Sequence, residues 1–161
     1  PSYRFANDWS NNNLNIVLGF DDFQDFNTIS GEFRTNSTTN ATMIYSMALK
    51  KVPFTGNTFL TYLTNDVPNS SLNLVSFGVG GNYRLWENTF VPGIRISLNQ
   101  SSIGNNTDDV KLGIRFTSRY KLTEDLILLI NYRFNDYSYG SSRSNASFRE
   151  NYLQTRLSYS F

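Results

Sequence analysis

Residues 148–161, FRENYLQTRLSYSF, alternate apolar and polar side chains with a period of two and stop on an aromatic residue. From Asn151 onward, Asn151, Leu153, Thr155, Leu157, Tyr159 and Phe161 fall on one side of the alternation. Tyr152, Gln154, Arg156, Ser158 and Ser160 fall on the other. A helix would scatter both sets around its axis, whereas an extended strand gives each set its own face. The segment therefore reads as a β-strand with one apolar and one polar surface.

The same rhythm runs through most of the 161 residues. It is cleanest over Asp109–Leu122, where Val110, Leu112, Ile114, Phe116, Ser118, Tyr120 and Leu122 oppose Lys111, Gly113, Arg115, Thr117, Arg119 and Lys121. Wound as a helix, this segment would spread its cations around the axis and bury none of its apolar groups cleanly. Similar alternation covers residues 2–9, 14–20, 29–35, 41–50, 75–85, 90–99 and 126–135, and the facing of 58–65 (TFLTYLTN) is undecided by its pattern. Turn formers are expected to separate these segments at 10–13 (SNNN), 21–27 (DDFQDFN), 36–40 (NSTTN) and 53–57 (PFTGN). The count is ten strands, or eight if 1–9 and 28–36 do not cross the membrane. Read backwards from the end, the loops 138–147, 122–125, 100–108, 86–88, 65–71 and 53–57 alternate long or medium with short. Long loops on one side and short turns on the other are the asymmetry of an up-and-down transmembrane barrel.

Composition agrees with this architecture. No apolar run approaches the roughly 20 residues of a membrane helix, and mean hydropathy is −0.39. Barrel strands are apolar on one face only, so such averages do not register them. There is no Cys, which excludes disulfides, and no His, which removes the commonest general base and metal ligand. The net charge of +1 implies no nucleic-acid partner. No charged-then-apolar leader precedes the body of the chain. A signal peptide removed from it and a carboxy-terminal portion of a longer protein both remain open.

Sorting charges by face is the informative step. With the apolar set outward, Arg4, Arg34, Lys50, Arg84, Arg95, Lys111, Arg115, Arg119, Lys121, Arg133 and Arg156 point inward, against the inward acids Asp8, Asp21, Glu32 and Glu150. Lys111, Arg115 and Arg119 follow one another on one strand at intervals of about 13 Å, with Arg95 and Arg133 on the strands either side. Two readings stand: a cationic lumen that draws anions, or a narrow interior filled by the same arginines. Tyr83, Trp86, Phe90, Tyr120, Tyr159 and Phe161 fall near strand ends on one side, as an interfacial aromatic girdle would; the rival reading is a carbohydrate-binding surface. The acidic pairs Asp21–Asp22 and Asp108–Asp109 more often solvate turns than bind a cation, so neither metal nor cofactor is expected. No phosphate-binding loop or nucleophile elbow is present.

The terminal LQTRLSYSF, with Phe161 last, resembles the signal read by the barrel-assembly machinery, and the dyad strands and loop rhythm resemble those of Gram-negative outer-membrane β-barrel proteins. The resemblance covers nearly the whole chain and specifies a class rather than a subfamily. It implies one all-β domain over residues 1–161, a location in the outer membrane with both ends periplasmic, and contact with lipid and lipopolysaccharide. Phe161 would be the assembly signal. Barrel enzymes of this size are built around a catalytic His, which this chain lacks, so no enzymatic activity is expected. A porin-like channel or transport role, a membrane anchor or scaffold within a larger complex with other subunits, and a share in a larger barrel all fit the class.

Overall fold

The alternation becomes nine β-strands in the computed structural model. It describes residues 1–27, 31–67, 70–104, 109–140 and 146–160, and the side chains of these except at 25, 27 and 32–34. The strands are β1 (Ser2–Ala6), β2 (Ser10–Asn27), β3 (Glu32–Leu49), β4 (Phe54–Val67), β5 (Ser70–Tyr83), β6 (Phe90–Ile103), β7 (Asp109–Lys121), β8 (Leu126–Ser138) and β9 (Phe148–Tyr159). Each pairs antiparallel with the next in sequence, so one sheet runs from β1 to β9 with no crossover. This is the up-and-down barrel order. Among the described residues no pairing joins β1 to β9, and the two strands are the edges of an open sheet.

The sheet has two unlike faces because pairing register and residue alternation agree at every step. On the apolar face, Ile94 lies opposite Phe116, Phe116 opposite Tyr132, and Tyr132 opposite Leu153. These side chains stay between 38% (Tyr132) and 66% (Leu153) exposed, and no hydrophobic side chain among the described residues is buried. A water-soluble chain of this length would hide much of its apolar surface in a core. Here the apolar surface lies on the outside of a single layer, which suits hydrocarbon rather than water. β4 has Leu60 and Tyr62 on the apolar face, opposite Met43 and Ala41, and leaves Phe59 on the polar one. That answers the ambiguity of TFLTYLTN.

Several sequence expectations are corrected. The described residues form nine strands, between the eight and ten expected. Residues 32–35 and 41–49 of the two segments expected as separate strands belong to the single β3, while 29 and 30 lie outside the described residues, and NSTTN between them is ladder rather than turn, with Thr38 opposite Asp21 and Asn65. DDFQDFN likewise continues β2. Asn, Ser and Thr read as turn formers, yet Thr is β-branched and suits a pleated surface. Thr38 Oγ1 donates to Asn65 Oδ1 at 3.4 Å, so its hydroxyl finds a cross-strand partner. The SNNN turn moves one step earlier. Asn7 Oδ1 accepts the backbone N–H of Trp9 at 2.9 Å and of Ser10 at 2.7 Å, which closes the chain on itself there. Asn12 instead sits in β2, where Tyr45 donates its hydroxyl to Asn12 Oδ1 at 2.7 Å.

Longer strands leave shorter loops. Connections at one end of the sheet take residues 7–9, 50–53, 84–89 and 122–125. The loops expected to be long or medium at the other end, 138–147, 100–108 and 65–71, lie partly outside the described residues. Among the described residues β1 and β9 run in the same direction.

Thr39 separates the two readings of NSTTN, being paired with Phe20 on one side and Thr64 on the other. Thr39→Pro removes a donor from a central ladder and is expected to cost on the order of 1–3 kcal/mol. Urea unfolding in lipid vesicles measures this. A neutral result would return the segment to a turn.

Candidate functional site: an arginine row on the polar face

Following the register across β6, β7 and β8, Arg95 lies opposite Arg115, and Arg115 opposite Arg133. Three guanidinium groups therefore stand abreast on adjacent strands, at Cβ spacings of about 4.5–5.5 Å. The row continues through Gly80, Asn57, Ser46, Asn13 and Arg4 on one side and ends at Tyr152 on the other. It crosses all nine strands without meeting a carboxylate. Arg95 Nη2 reaches Asn57 Oδ1 at 3.5 Å, the Arg133 guanidinium lies 5.9 Å from the Tyr152 ring centroid, and Arg133 Nε is buried without a hydrogen-bond partner. Among the described residues none of the three forms an ion pair; the pair that does form, Arg149 with Asp136 at 3.4 Å, is on the opposite face.

Small residues make room around the row. A depression of about 210 Å³ is lined by Arg95, Arg115, Arg133, Ser97, Gly113 and Asn135. Gly78, Gly80 and Gly113 lie on this face, and neighbouring side chains lean over them. A Cβ on Gly78 would collide with the Phe59 ring, and one on Gly113 would come within 2.8 Å of Ser97 Oγ. The nearest acid is engaged: Glu150 Oε2 accepts from Asn135 Nδ2 at 3.0 Å.

The remaining cations fall into order around this row. The Leu85–Phe90 bridge carries the β5–β6 register onward, which sets Arg84 opposite Val91, followed by Arg119, Leu129 and Arg156. Here an aliphatic residue separates each cation from the next, so like charges are never directly opposite. Lys111 lies beyond the row on the other side, its Nζ 4.7 Å from the Tyr137 ring centroid, and Tyr137 stacks on Phe148 at 4.4 Å. This aromatic stack on the polar face is absent from the sequence reading. Its signal is two polar-parity aromatics, Tyr137 and Phe148, that flank the last loop. Lys121 shares the parity of Arg119, while the side chains of Arg34 and Glu32 lie outside the described set.

The aromatic residues near the short-turn end form a connected group on the apolar face. Trp86 stacks on Phe90 with centroids 5.7 Å apart, and Phe90 meets Tyr120 edge-on at 6.0 Å. Trp86 is delivered by a tight connection in which Trp86, Glu87 and Asn88 all take left-handed backbone angles, with φ of 48°, 54° and 71°. Tyr83 lies opposite Pro92 by the same register, one pleat from Phe90, and Tyr159 lies opposite Leu126. Phe161 lies outside the described residues, as does Asp108. Asp21 and Asp22 point to opposite faces of β2, so they do not share a ligand. Asp109 Oδ1 accepts the Gly140 N–H at 3.0 Å, a bond that ties the chain just after β8 to the start of β7.

No protein-family model and no curated protein matches the chain. Among solved structures, in-vitro folded OmpT, an outer membrane protein of Vibrio cholerae (trimer form), is similar with a TM-score of 0.64 at 13% identity. The match covers 99% of this chain and 54% of that one. OmpT of Vibrio cholerae expressed in the outer membrane gives the same TM-score and identity over 98% and 54% of the two chains. The chain thus spans about half the length of these structures. Neisserial surface protein A aligns over 95% and 96% of the two chains at 18% identity, with a TM-score of only 0.34. The chain has the antiparallel up-and-down fold of outer-membrane β-barrel proteins.

Like charges directly opposite one another across a sheet are destabilising. Arg115→Gln removes the middle charge and is expected to stabilise the folded protein by about 0.2–1 kcal/mol at low salt, with the gain shrinking as ionic strength rises. Urea midpoints at two salt concentrations measure it. A loss of stability independent of salt would mean that Arg115 is held by a partner.

Proposed function

We propose that the chain forms the wall of an outer-membrane channel whose polar face lines a water-filled, anion-attracting lumen. The observation that carries this reading is the Arg95–Arg115–Arg133 row. Two unit charges about 4 Å apart repel by about 1 kcal/mol in bulk water and about 4 kcal/mol near a protein surface. In a dry plug three unpaired guanidiniums would also each carry a desolvation penalty of several kcal/mol. Water and mobile anions remove both costs, so the row favours a wet interior over a filled one. Phosphate and carboxylate groups match the planar donor fork of arginine and are the class of anion such a row would hold most firmly.

The apolar face then meets lipid and lipopolysaccharide, and the Trp86–Phe90–Tyr120 group anchors one interface. The barrel-assembly machinery is the partner during insertion. Hydrolytic chemistry is not part of the proposal, since no His is present to activate a nucleophile.

Reconstitution in planar bilayers under a salt gradient tests the channel. The expected reversal potential lies on the anion side and moves towards zero in Arg115→Gln combined with Arg119→Gln. Cation preference, or no conductance, would refute the proposal. The facing is tested separately. Ile114→Arg, near mid-strand on the apolar face, is expected to cost about 2–4 kcal/mol in vesicles, and Thr117→Arg on the polar face far less. Equal costs would reverse or erase the assignment of faces.

A further inference from the structure

Two rows of side chains on the polar face lie side by side next to the central arginines and share one hollow. The first is Val91, Arg119, Leu129 and Arg156, each opposite the next from β6 to β9. The second, two residues further along each strand, is Asn82, Gly93, Thr117, Asn131 and Gln154. About 7 Å separates the rows, which is the width of a sugar ring. The hollow measures about 400 Å³ and is lined by residues of both rows.

Three kinds of contact are on offer there. Arg119 and Arg156 are exposed and form no ion pair or hydrogen bond among the described residues. Leu129 stands half-buried between them, and Val91 lies on the far side of Arg119. The second row supplies amides and a hydroxyl, brought together by a missing side chain. A Cβ on Gly93 would collide with Asn82 Oδ1 and come within 2.9 Å of Thr117 Oγ1, so Asn82 leans across β6 towards Thr117. Asn131 Oδ1 is covered and has no hydrogen-bond donor among the described residues. A covered carbonyl oxygen in that state is a cost that a donor within reach removes. Neither set of residues includes a carboxylate, so the hollow suits an anion.

The contiguous guanidiniums of Arg95, Arg115 and Arg133 suit a compact, highly charged anion. In the hollow each cation is set apart by an aliphatic side chain and backed by neutral hydrogen-bonding groups. That arrangement fits a solute with one anionic group, several hydroxyls and an apolar C–H face. A sugar acid has all three. We propose that the hollow binds a monosaccharide-sized sugar acid, with Arg119 and Arg156 at its carboxylate, Thr117, Asn131 and Gln154 at its hydroxyls, and Leu129 against its C–H face. A ligand hydroxyl then supplies the donor that Asn131 Oδ1 lacks. The site rests on the reading that the polar face is open to water, and it gives that channel a class of solute.

Calorimetric titration of the purified protein in detergent tests the site without requiring a conducting pore. The probes are D-glucuronate; D-glucose, which keeps the hydroxyls and lacks the charge; and cyclohexanecarboxylate, which keeps ring and charge and lacks the hydroxyls. Glucuronate is expected to bind about tenfold or more tightly than either. Arg119→Gln is expected to weaken both carboxylates about tenfold. Asn131→Leu is expected to weaken glucuronate by a similar factor and leave cyclohexanecarboxylate unchanged. Thr117→Val, close in shape to the original, is expected to repeat that pattern and guards against a folding defect in the first variant. Equal binding of the two carboxylates, no saturable binding of glucuronate, or losses in Asn131→Leu and Thr117→Val shared by both carboxylates would overturn the proposal. Planar bilayers separate the site from the channel. The expected binding pattern in a protein that does not conduct would keep the site and remove the channel. Anion-selective conductance with no preference for glucuronate would keep the channel and overturn the site.

Discussion

Backbone hydrogen bonding without water is the constraint on which the rest of this structure depends. In a bilayer every N–H and C=O must find its partner inside the protein, which leaves helices and closed barrels as the spanning structures. This chain has no apolar run for a helix but alternates with a period of two, so the ladder is its route through. The ladder in turn fixes register, and register places side chains abreast. Arg95, Arg115 and Arg133 come together because two hairpins hold three strands in antiparallel alignment, and nothing about the arginines themselves favours the arrangement. Stability at this level comes from the backbone pairs, which hold the row together against its own repulsion.

That repulsion shapes the proposed function. Two cationic rows share the polar face, and they differ in design. Arg84, Arg119 and Arg156 are kept apart by Val91 and Leu129, whereas the central three are contiguous. Around the contiguous row the wall is carried by glycine, serine and asparagine, which crowd the guanidiniums little and bring no negative charge. Glu150, the acid nearest in register, is occupied by Asn135. In the proposed channel, a wall organised this way would draw anions.

Faces were legible in the sequence wherever the alternation was unbroken. The apolar and polar sets of β5 to β9 are those the pattern assigns, residue by residue, because a strand offers no other way to separate them. Boundaries were less legible. NSTTN and DDFQDFN carry residues that serve equally in turns and in a solvated ladder, and only their pairing partners decide. The abreast arginines were half visible: a hairpin centred on Glu124 must set Arg115 against Arg133, whereas the register of Arg95 depends on where a longer loop is centred. The facing of β4 was hidden because Phe59, Leu60, Tyr62 and Leu63 put apolar groups on both faces.

The most direct test of the account is whether water reaches the arginine row. Ser97 sits on the polar face beside it, and Ile96 is its neighbour on the apolar face. The chain has no native Cys, so Ser97→Cys and Ile96→Cys each carry a single thiol. Reaction with a membrane-impermeant sulfonated methanethiosulfonate, compared with its trimethylammonium counterpart, reads both hydration and charge. The account predicts that the thiol at position 97 reacts, about tenfold or more faster with the anionic reagent, while the one at position 96 stays inert to both. An unreactive thiol at 97, or equal rates with the two reagents, would contradict it.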